Sequence, residues 1–382
     1  MKIKKTIYYC CLLSALITIS APASAAFYDK DGLQVYGDIR LRIETDYQSN
    51  KADGTMRHDR VRLRTRGRLG VNYSFLDYFS VGTRIRTGSN ASQQSPHITL
   101  YDFNTNPTGS NDVNFDKWFL KGKFKNESGE AWGWAGRNGL PFWKQNELFW
   151  DDDVTPVGFA AGYKFKLDKY QSISINSAYL LLPSGMRDLA GDMFAGQLVY
   201  SSSVKDDTFT FASGIYAMGA DGNATDLLKG NGLRDYTIVQ TSAQLKSKVF
   251  DIPIKVGADY IYNMKGYSSL SPIAYTAMHH NHRQGFILST ALGKLKKQND
   301  WLVGYTYAYI EALAINSSYA QDDWVRWGSA TQTRGSDMKG HEIRLGYSVM
   351  DNANLLLRYY IADAISTSED GKRVRLDFNI KF

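Results

Sequence analysis

Along most of this chain, apolar and polar residues alternate with a period of two. In "LQVYGDIRLRIE", Leu33, Val35, Ile39, Leu41 and Ile43 fall on one face, and Gln34, Asp38, Arg40, Arg42 and Glu44 on the other. Residues two apart share a face on a β-strand and diverge on a helix, so the period predicts a strand. The next such segment, "RVRLRTRGRLG", carries Arg60, Arg62, Arg64, Arg66 and Arg68 on its polar face, with Val61, Leu63, Thr65 and Leu69 between them. The pattern returns in "YFSVGTRIRTG" with Arg84 and Arg86, in "PIKVGADYIYN" and in "EIRLGYSV". It ends in "RVRLDFNIKF", where Arg373, Arg375, Asp377, Asn379 and Lys381 oppose Val374, Leu376, Phe378, Ile380 and Phe382.

Sixteen segments of this kind are centred near residues 39, 65, 83, 119, 135, 162, 176, 197, 212, 242, 258, 288, 306, 345, 358 and 377. Residues 131 to 202 are the least regular, so fourteen or eighteen strands also fit. Short connections ("SFLD", "LDKYQ", "FDIP", "DNAN") take turns with long polar ones over 46–58, 88–112, 218–233, 264–281 and 313–340. That is the anatomy of an all-β fold, a transmembrane antiparallel up-and-down β-barrel, whose strands need about 9 to 11 residues to cross and whose lumen tolerates charge. Closure satisfies the backbone groups that lipid cannot. A soluble two-sheet sandwich also alternates, with the opposite burial. The length of the chain, the aromatics Tyr73, Phe75, Tyr78 and Phe79 around one turn, and the final strand favour the barrel.

Composition adds an address. The chain opens with Lys2, Lys4 and Lys5, runs apolar from Ile7 to Ile19 and reaches Ala23-Ser24-Ala25, the plan of a secretory signal peptide over residues 1–25, cleaved before Ala26. The run is shorter than the roughly 20 residues of a spanning helix. A single domain, 26–382, is then expected. Cys10 and Cys11 both leave with the signal, so neither disulfides nor thiolate metal sites are expected in an oxidising compartment. Removing three signal lysines lowers the formal charge from +7 to +4, 42 basic against 38 acidic residues, which argues against a nucleic-acid partner.

Bacterial outer-membrane barrels close on a C-terminal aromatic, usually Phe, preceded by alternating apolar residues that the barrel-assembly machinery reads. Val374, Leu376, Phe378, Ile380 and Phe382 match that signal position for position. With the signal peptide and sixteen strands, the chain resembles a general diffusion porin of Gram-negative bacteria. More narrowly, it resembles the putative-porin family related to the phosphate-selective porins, through "RVRLRTRGRLG" at 60, "AGRNGLPFW" at 135, "FWDDDVTPVGFAAGY" at 149 and "YIEALA" at 309. The resemblance implies residence in the outer membrane among its lipids and a homotrimer. It also implies passage of small hydrophilic solutes or anions through a water-filled pore without any cofactor or resident metal.

Such porins narrow at mid-height, with a basic wall facing carboxylates on the third external loop. Here that loop is "PFWKQNELFWDDD", carrying Glu147, Asp151, Asp152 and Asp153. Closure sets strand 16 beside strand 1, so Arg373, Arg375, Arg40, Arg42, Arg60 to Arg68, Arg84 and Arg86 are expected to form one wall. A basic surplus raises the local anion concentration, which points to an anion-preferring pore. Three alternatives stay open. The loop is shorter than the infolding loop of general porins, so 88–112 is a second candidate constriction; Asp38, Glu44 and Asp377 offset the arginines; and the triple aspartate suits a solvated loop tip or a divalent cation as well as an eyelet.

Two other classes compete. An outer-membrane phospholipase- or protease-like enzyme would need a nucleophile or base, for which His58-Asp59 is the best pair and "HHNH" at 279 a candidate imidazole cluster, with no Gly-x-Ser-x-Gly elbow. An adhesin would use the long loops, and has no need of a charged bore. A plugged transporter is disfavoured because strand 1 follows the signal closely. Tyr305, Tyr307 and Tyr309 would line a sugar path if they faced inward.

Overall fold

The computed structural model describes residues 28–30, 32–104, 111–221, 227–326 and 335–382; the expected signal peptide, 1–25, lies outside the described residues. Among the described residues, sixteen spanning strands close into one antiparallel barrel. In chain order they are β1 (Leu33–Tyr47), β2 (Arg60–Phe75), β3 (Phe79–Thr87, resumed at Ile98–Asp102), β4 (Val113–Lys125), β5 (Gly129–Arg137), β6 (Val157–Lys166), β7 (Gln171–Ser184) and β8 (Asp188–Val204). There follow β9 (Asp207–Gly219), β10 (Tyr236–Val249), β11 (Ile252–Asn263), β12 (Gln284–Gly293), β13 (Trp301–Ile310), β14 (Met338–Met350), β15 (Ala353–Ala364) and β16 (Asp370–Lys381). Each of the sixteen expected centres falls inside a strand. Both pieces of β3 pair with β2, and between them residues 88–97 leave the sheet. One rim carries short turns such as 205–206, 250–251 and 351–352; the other carries longer connections such as 138–156, 264–283 and 311–337.

The strands form because one residue in two can be apolar and outward. Ile39, Leu41, Leu198, Val256, Leu288 and Leu345 are all more than a third exposed, while their polar neighbours turn in. At the short-turn rim, rings stack around the turn after β2, Tyr73 on Phe75 at 6.3 Å and Phe75 on Phe79 at 6.1 Å between centroids. Aromatic rings gathered at one rim suit the girdle at a headgroup boundary.

Closure runs through β16 and β1, in register from Lys372 opposite Tyr47 to Lys381 opposite Asp38. Just beyond that ladder, Gly37 N–H donates to the Phe382 carbonyl (2.8 Å) and Phe382 N–H donates back (3.0 Å). The Phe382 ring lies where a side chain at residue 37 would begin, its Cζ 2.7 Å from that point, so only glycine admits it.

The lumen is not uniformly polar. On the long-loop half, the inward residues Leu180, Met193, Ile238, Ile261, Ile287 and Ile310 are buried beneath loop residues such as Phe149, Trp150 and Ile315. The barrel therefore holds an apolar core inside itself.

Leu41, outward at the middle of β1 and 39% exposed, reports on the lipid face. Leu41→Arg is expected to destabilise the barrel in lipid vesicles by about 2–4 kcal/mol in denaturant titration, the range for a cation near the bilayer midplane. A neutral effect would place this face in water.

Candidate functional site

The register sets the eleven expected arginines on the inner side of four adjacent strands, and each of them is engaged. Register does this: Arg60, Arg62 and Arg68 on β2 stand opposite Asp46, Glu44 and Asp38 on β1, while Arg373 and Arg375 on β16 stand opposite Asp46 and Glu44 from the other side. Arg42 grips Asp377 with two bonds, Nε to Oδ1 at 2.6 Å and Nη2 to Oδ2 at 2.9 Å. Arg84 does the same to Asp116, at 3.0 and 2.6 Å. Glu44 is shared by Arg62, Arg64 and Arg375. Arg66 and Arg68 share Asp38, each at 2.6 Å, and Arg373 reaches Asp46 at 2.5 Å. Arg40 donates to Asn379 at 2.7 Å, and Arg86 to the carbonyls of Asp153 and Ser92 at 3.0 and 2.8 Å. Most of these guanidinium groups are buried, Arg42, Arg86 and Arg375 at 1% exposure.

Among the described residues the eleven wall arginines meet seven carboxylates, Asp38, Glu44, Asp46, Asp116, Asp153, Asp323 and Asp377, leaving a surplus of four positive charges. Five of those carboxylates belong to the strands themselves. Asp153 comes from the third long loop, 138–156, and Asp323 from the seventh, 311–337.

The third loop and the described residues 311–326 of the seventh fold into the lumen, as does the inserted segment 88–97. They hold one another. Asp151 N–H donates to the Tyr319 carbonyl (2.7 Å) and Gln321 N–H to the Glu147 carbonyl (2.9 Å), while Trp150 stacks on Tyr319 with centroids 5.2 Å apart. Gln93 and Gln94 donate to the carbonyls of Ser318 and Ser317 at 2.7 and 3.0 Å. The two candidate constrictions are thus one assembly, joined by the seventh loop, which the sequence pattern marked as a long connection and not as a constriction. His97 is carried inward too; burial, then the charges of Arg42, Arg64, Arg40 and Arg66, hold its imidazole well below the usual range.

The four loop carboxylates take different directions. Asp153 pairs with Arg68 at 2.6 Å and Arg66 at 3.7 Å; burial opposes its charge, but these arginines outweigh it and keep it far below the usual range. Asp152 accepts from Lys144 Nζ at 2.6 Å. Asp151 accepts from the Asp153 N–H at 2.7 Å, and burial followed by the charges of Glu147, Asp153 and Asp322 pushes it well up. Glu147 rises to about 8 through burial and the neighbouring Asp152 charge. Because the aspartates diverge, they do not form an oxygen cluster, and among the described residues no three His, Cys, Asp or Glu side chains converge as a metal site would require. Of "HHNH", His279 and His282 face each other, Nδ1 to Nδ1 3.3 Å. The tyrosines of β13 point outward: Thr306 and Ala308 are 4% and 0% exposed inside the barrel, whereas Tyr305 is 40% exposed outside and hydrogen-bonds His341 at 2.8 Å. They line no inner path.

Two cavities open beneath the third loop. The larger, about 590 Å³, is lined by Arg68, Arg84, Lys117, Lys121, Trp132 and Asp151 among others. The smaller, about 320 Å³, is lined by Glu147, Lys255, Glu342, Arg344 and Arg358, and shares Lys144 and Asp152 with the first. Among the described residues, Lys117 and Lys121 in the first cavity and Lys255 in the second have no acceptor for their ammonium groups.

Glu147 makes the loop assembly sensitive to pH. Its value in the folded chain, about 8, lies above the usual 4.5, so the unfolded chain gives up this proton first. Its contribution is therefore most favourable below about pH 4.5 and is lost as pH rises to about 8. Glu147→Gln is expected to flatten the decline in thermal stability across that window; an unchanged slope would mean that Glu147 ionises freely.

The fold has solved counterparts. The high-pH structure of Pseudomonas putida OprB superposes with a TM-score of 0.59 at 11% identity, covering 96% of this chain and 100% of that one. OmpF of Salmonella typhi, solved in complex with daunomycin, gives 0.53 at 12% identity, covering 92% and 99%. At such identities the likeness establishes the barrel alone. The search of curated proteins returned no match. The family model described as "Putative porin" matches residues 26–216 and 216–382, nearly the whole sequence, and the chain belongs to that family.

Proposed function

We propose that this protein is an outer-membrane porin, a water-filled channel for passive diffusion of small hydrophilic solutes and ions with a preference for anions. The expected kinship with the phosphate-selective porins, the homotrimer and the leader peptide belong to the same reading. One observation carries the anion preference: positive charge is left over twice, as the four-charge surplus of the buried wall and as the unpartnered ammonium groups of Lys117, Lys121 and Lys255 on the cavities. A basic lumen with low-dielectric walls concentrates anions. The arginines supply a fixed background field and hold the loops; the lysines are the groups a solute meets. Glu147, Asp151, Asp152 and Asp153 act mainly by fastening the third loop.

The test is the zero-current potential of the purified protein in a planar bilayer under a KCl gradient. The potential is expected to have the anion-selective sign and to move toward zero in Lys117→Gln/Lys121→Gln. Arg62→Gln/Arg64→Gln/Arg66→Gln is expected to shift it at least as far, because it removes three charges from the wall and leaves the carboxylates of Glu44 and Asp38 under-neutralised. Cation selectivity would overturn the charge reading, and absence of conductance in folded protein would overturn the porin reading in favour of an enzyme or adhesin.

Asp323 gives a second test. It ties the seventh loop to Arg375, to Arg358 at 3.2 Å and to Arg42 at 3.8 Å. Asp323→Asn is expected to raise single-channel conductance by freeing that loop from the wall, and an unchanged conductance would leave the loop's apolar contacts as its anchor.

A further inference from the structure

The larger cavity has a feature that bulk anion flow does not require. Trp132 on β5 faces the lumen between Lys123 on β4 and Gly162 on β6. Its indole packs over Gly162, where a Cβ would stand 2.7 Å from Cε2 and Nε1 of the ring and closer still to Asn176 Oδ1. A side chain at 162 would displace the ring or the Asn176 amide, and glycine lets the indole pack close to the wall while lining the cavity. Two residue pairs further along the same strands, and so on the same face, Lys121 stands opposite Trp134. Lys123 is occupied by Glu130 at 2.9 Å, but Lys121 and Lys117 keep free ammonium groups over the same space.

An indole beside two ammonium groups without acceptors is complementary to a particular solute shape. The indole face favours a ring, through stacking or through the C–H face of a pyranose, and the ammonium groups favour a carboxylate or phosphate attached to it. We propose that the cavity formed by Trp132, Lys117 and Lys121 is a binding subsite for small ring-bearing organic anions, so that the channel retains these solutes longer than it retains simple ions. This rests on the porin reading and deepens it. Gly162 is a positioning residue for the indole.

The experiment has two arms on the same refolded, full-length protein. Current fluctuation in planar bilayers is recorded with benzoate, glucuronate, acetate or glucose added to KCl, and binding of the same four probes is measured by calorimetry in detergent. Benzoate or glucuronate, or both, should block current and bind about tenfold more tightly than acetate or glucose, and the comparison of the two identifies an aromatic or a pyranose source. Lys117→Gln/Lys121→Gln should lower that affinity about tenfold, Trp132→Ala should erase the preference over acetate, and Trp132→Phe should restore part of it. Gly162→Ala should weaken the preference while Trp132 itself is intact. Neither benzoate nor glucuronate binding more tightly than acetate and glucose, or affinity unchanged in the lysine pair, would overturn the subsite while leaving a conducting porin. Ring-anion binding without any conductance would overturn the porin reading and keep the subsite.

Discussion

The structure depends on the pairing of β16 with β1. A sheet that meets lipid must close, because no solvent is present there to satisfy an open edge. Closure fixes more than the backbone. It brings residues 372–381 against residues 38–47, and so turns two distant charged faces into one ladder in which Glu44 and Asp46 each receive arginines from both sides. The same register sets Arg40 opposite Arg66 and Arg42 opposite Arg64. Like charges directly opposite are destabilising, and buried ones more so. Asp377 answers from the third strand of the set, and Asp153 and Asp323 from loops. The loops are therefore held by the wall, and the wall is tolerable because of the loops.

That mutual support explains which parts of the fold could be read in advance. The outward faces obey one rule around the whole barrel, so all sixteen strand positions were legible. The inward faces obey two. From β16 through β3 they meet charge, and the alternation is clean; on β7 to β13 the long-loop half meets other apolar side chains, and residues such as Leu180, Leu182 and Ile238 make both faces apolar. This is why residues near 180 read as irregular. A signal for the covering loops did exist. Phe142, Phe149 and Trp150 in one loop, and "LAI" at 313–315 in another, are poor choices for segments in water, and their burial accounts for them.

The candidate site was legible in the same partial way. Arginines at every second position announce a charged inward face, but their partners on loops have no fixed spacing from them. The lysines were hidden by a register shift. Between Arg84 and Ile85 the pairing with β4 slips by one, Arg84 opposite Lys117 and Ile85 opposite Phe115. A bulge of this kind changes which parity faces inward. Asp116 and Lys117, adjacent in sequence, both reach the interior side, one closing on Arg84 and the other lining the cavity. Read by strict alternation, "NFDKWFLKGK" has no consistent polar face; read across the bulge, Lys117, Lys121 and Lys123 share one.

Division of labour between the two kinds of cation follows from throughput. A pore must attract a solute and also release it. Eleven bare arginines in a narrow space would bind multivalent anions tightly, since guanidinium groups grip carboxylates and phosphates by two bonds at once. Engaging them with carboxylates and backbone carbonyls lowers that grip while the surplus charge still sets the sign of the field. Lysine offers a single-point contact on a flexible stem, which suits brief retention. On the proposed reading, selectivity arises from arginines that solutes feel at a distance, and residence time from the few lysines and the indole that they touch.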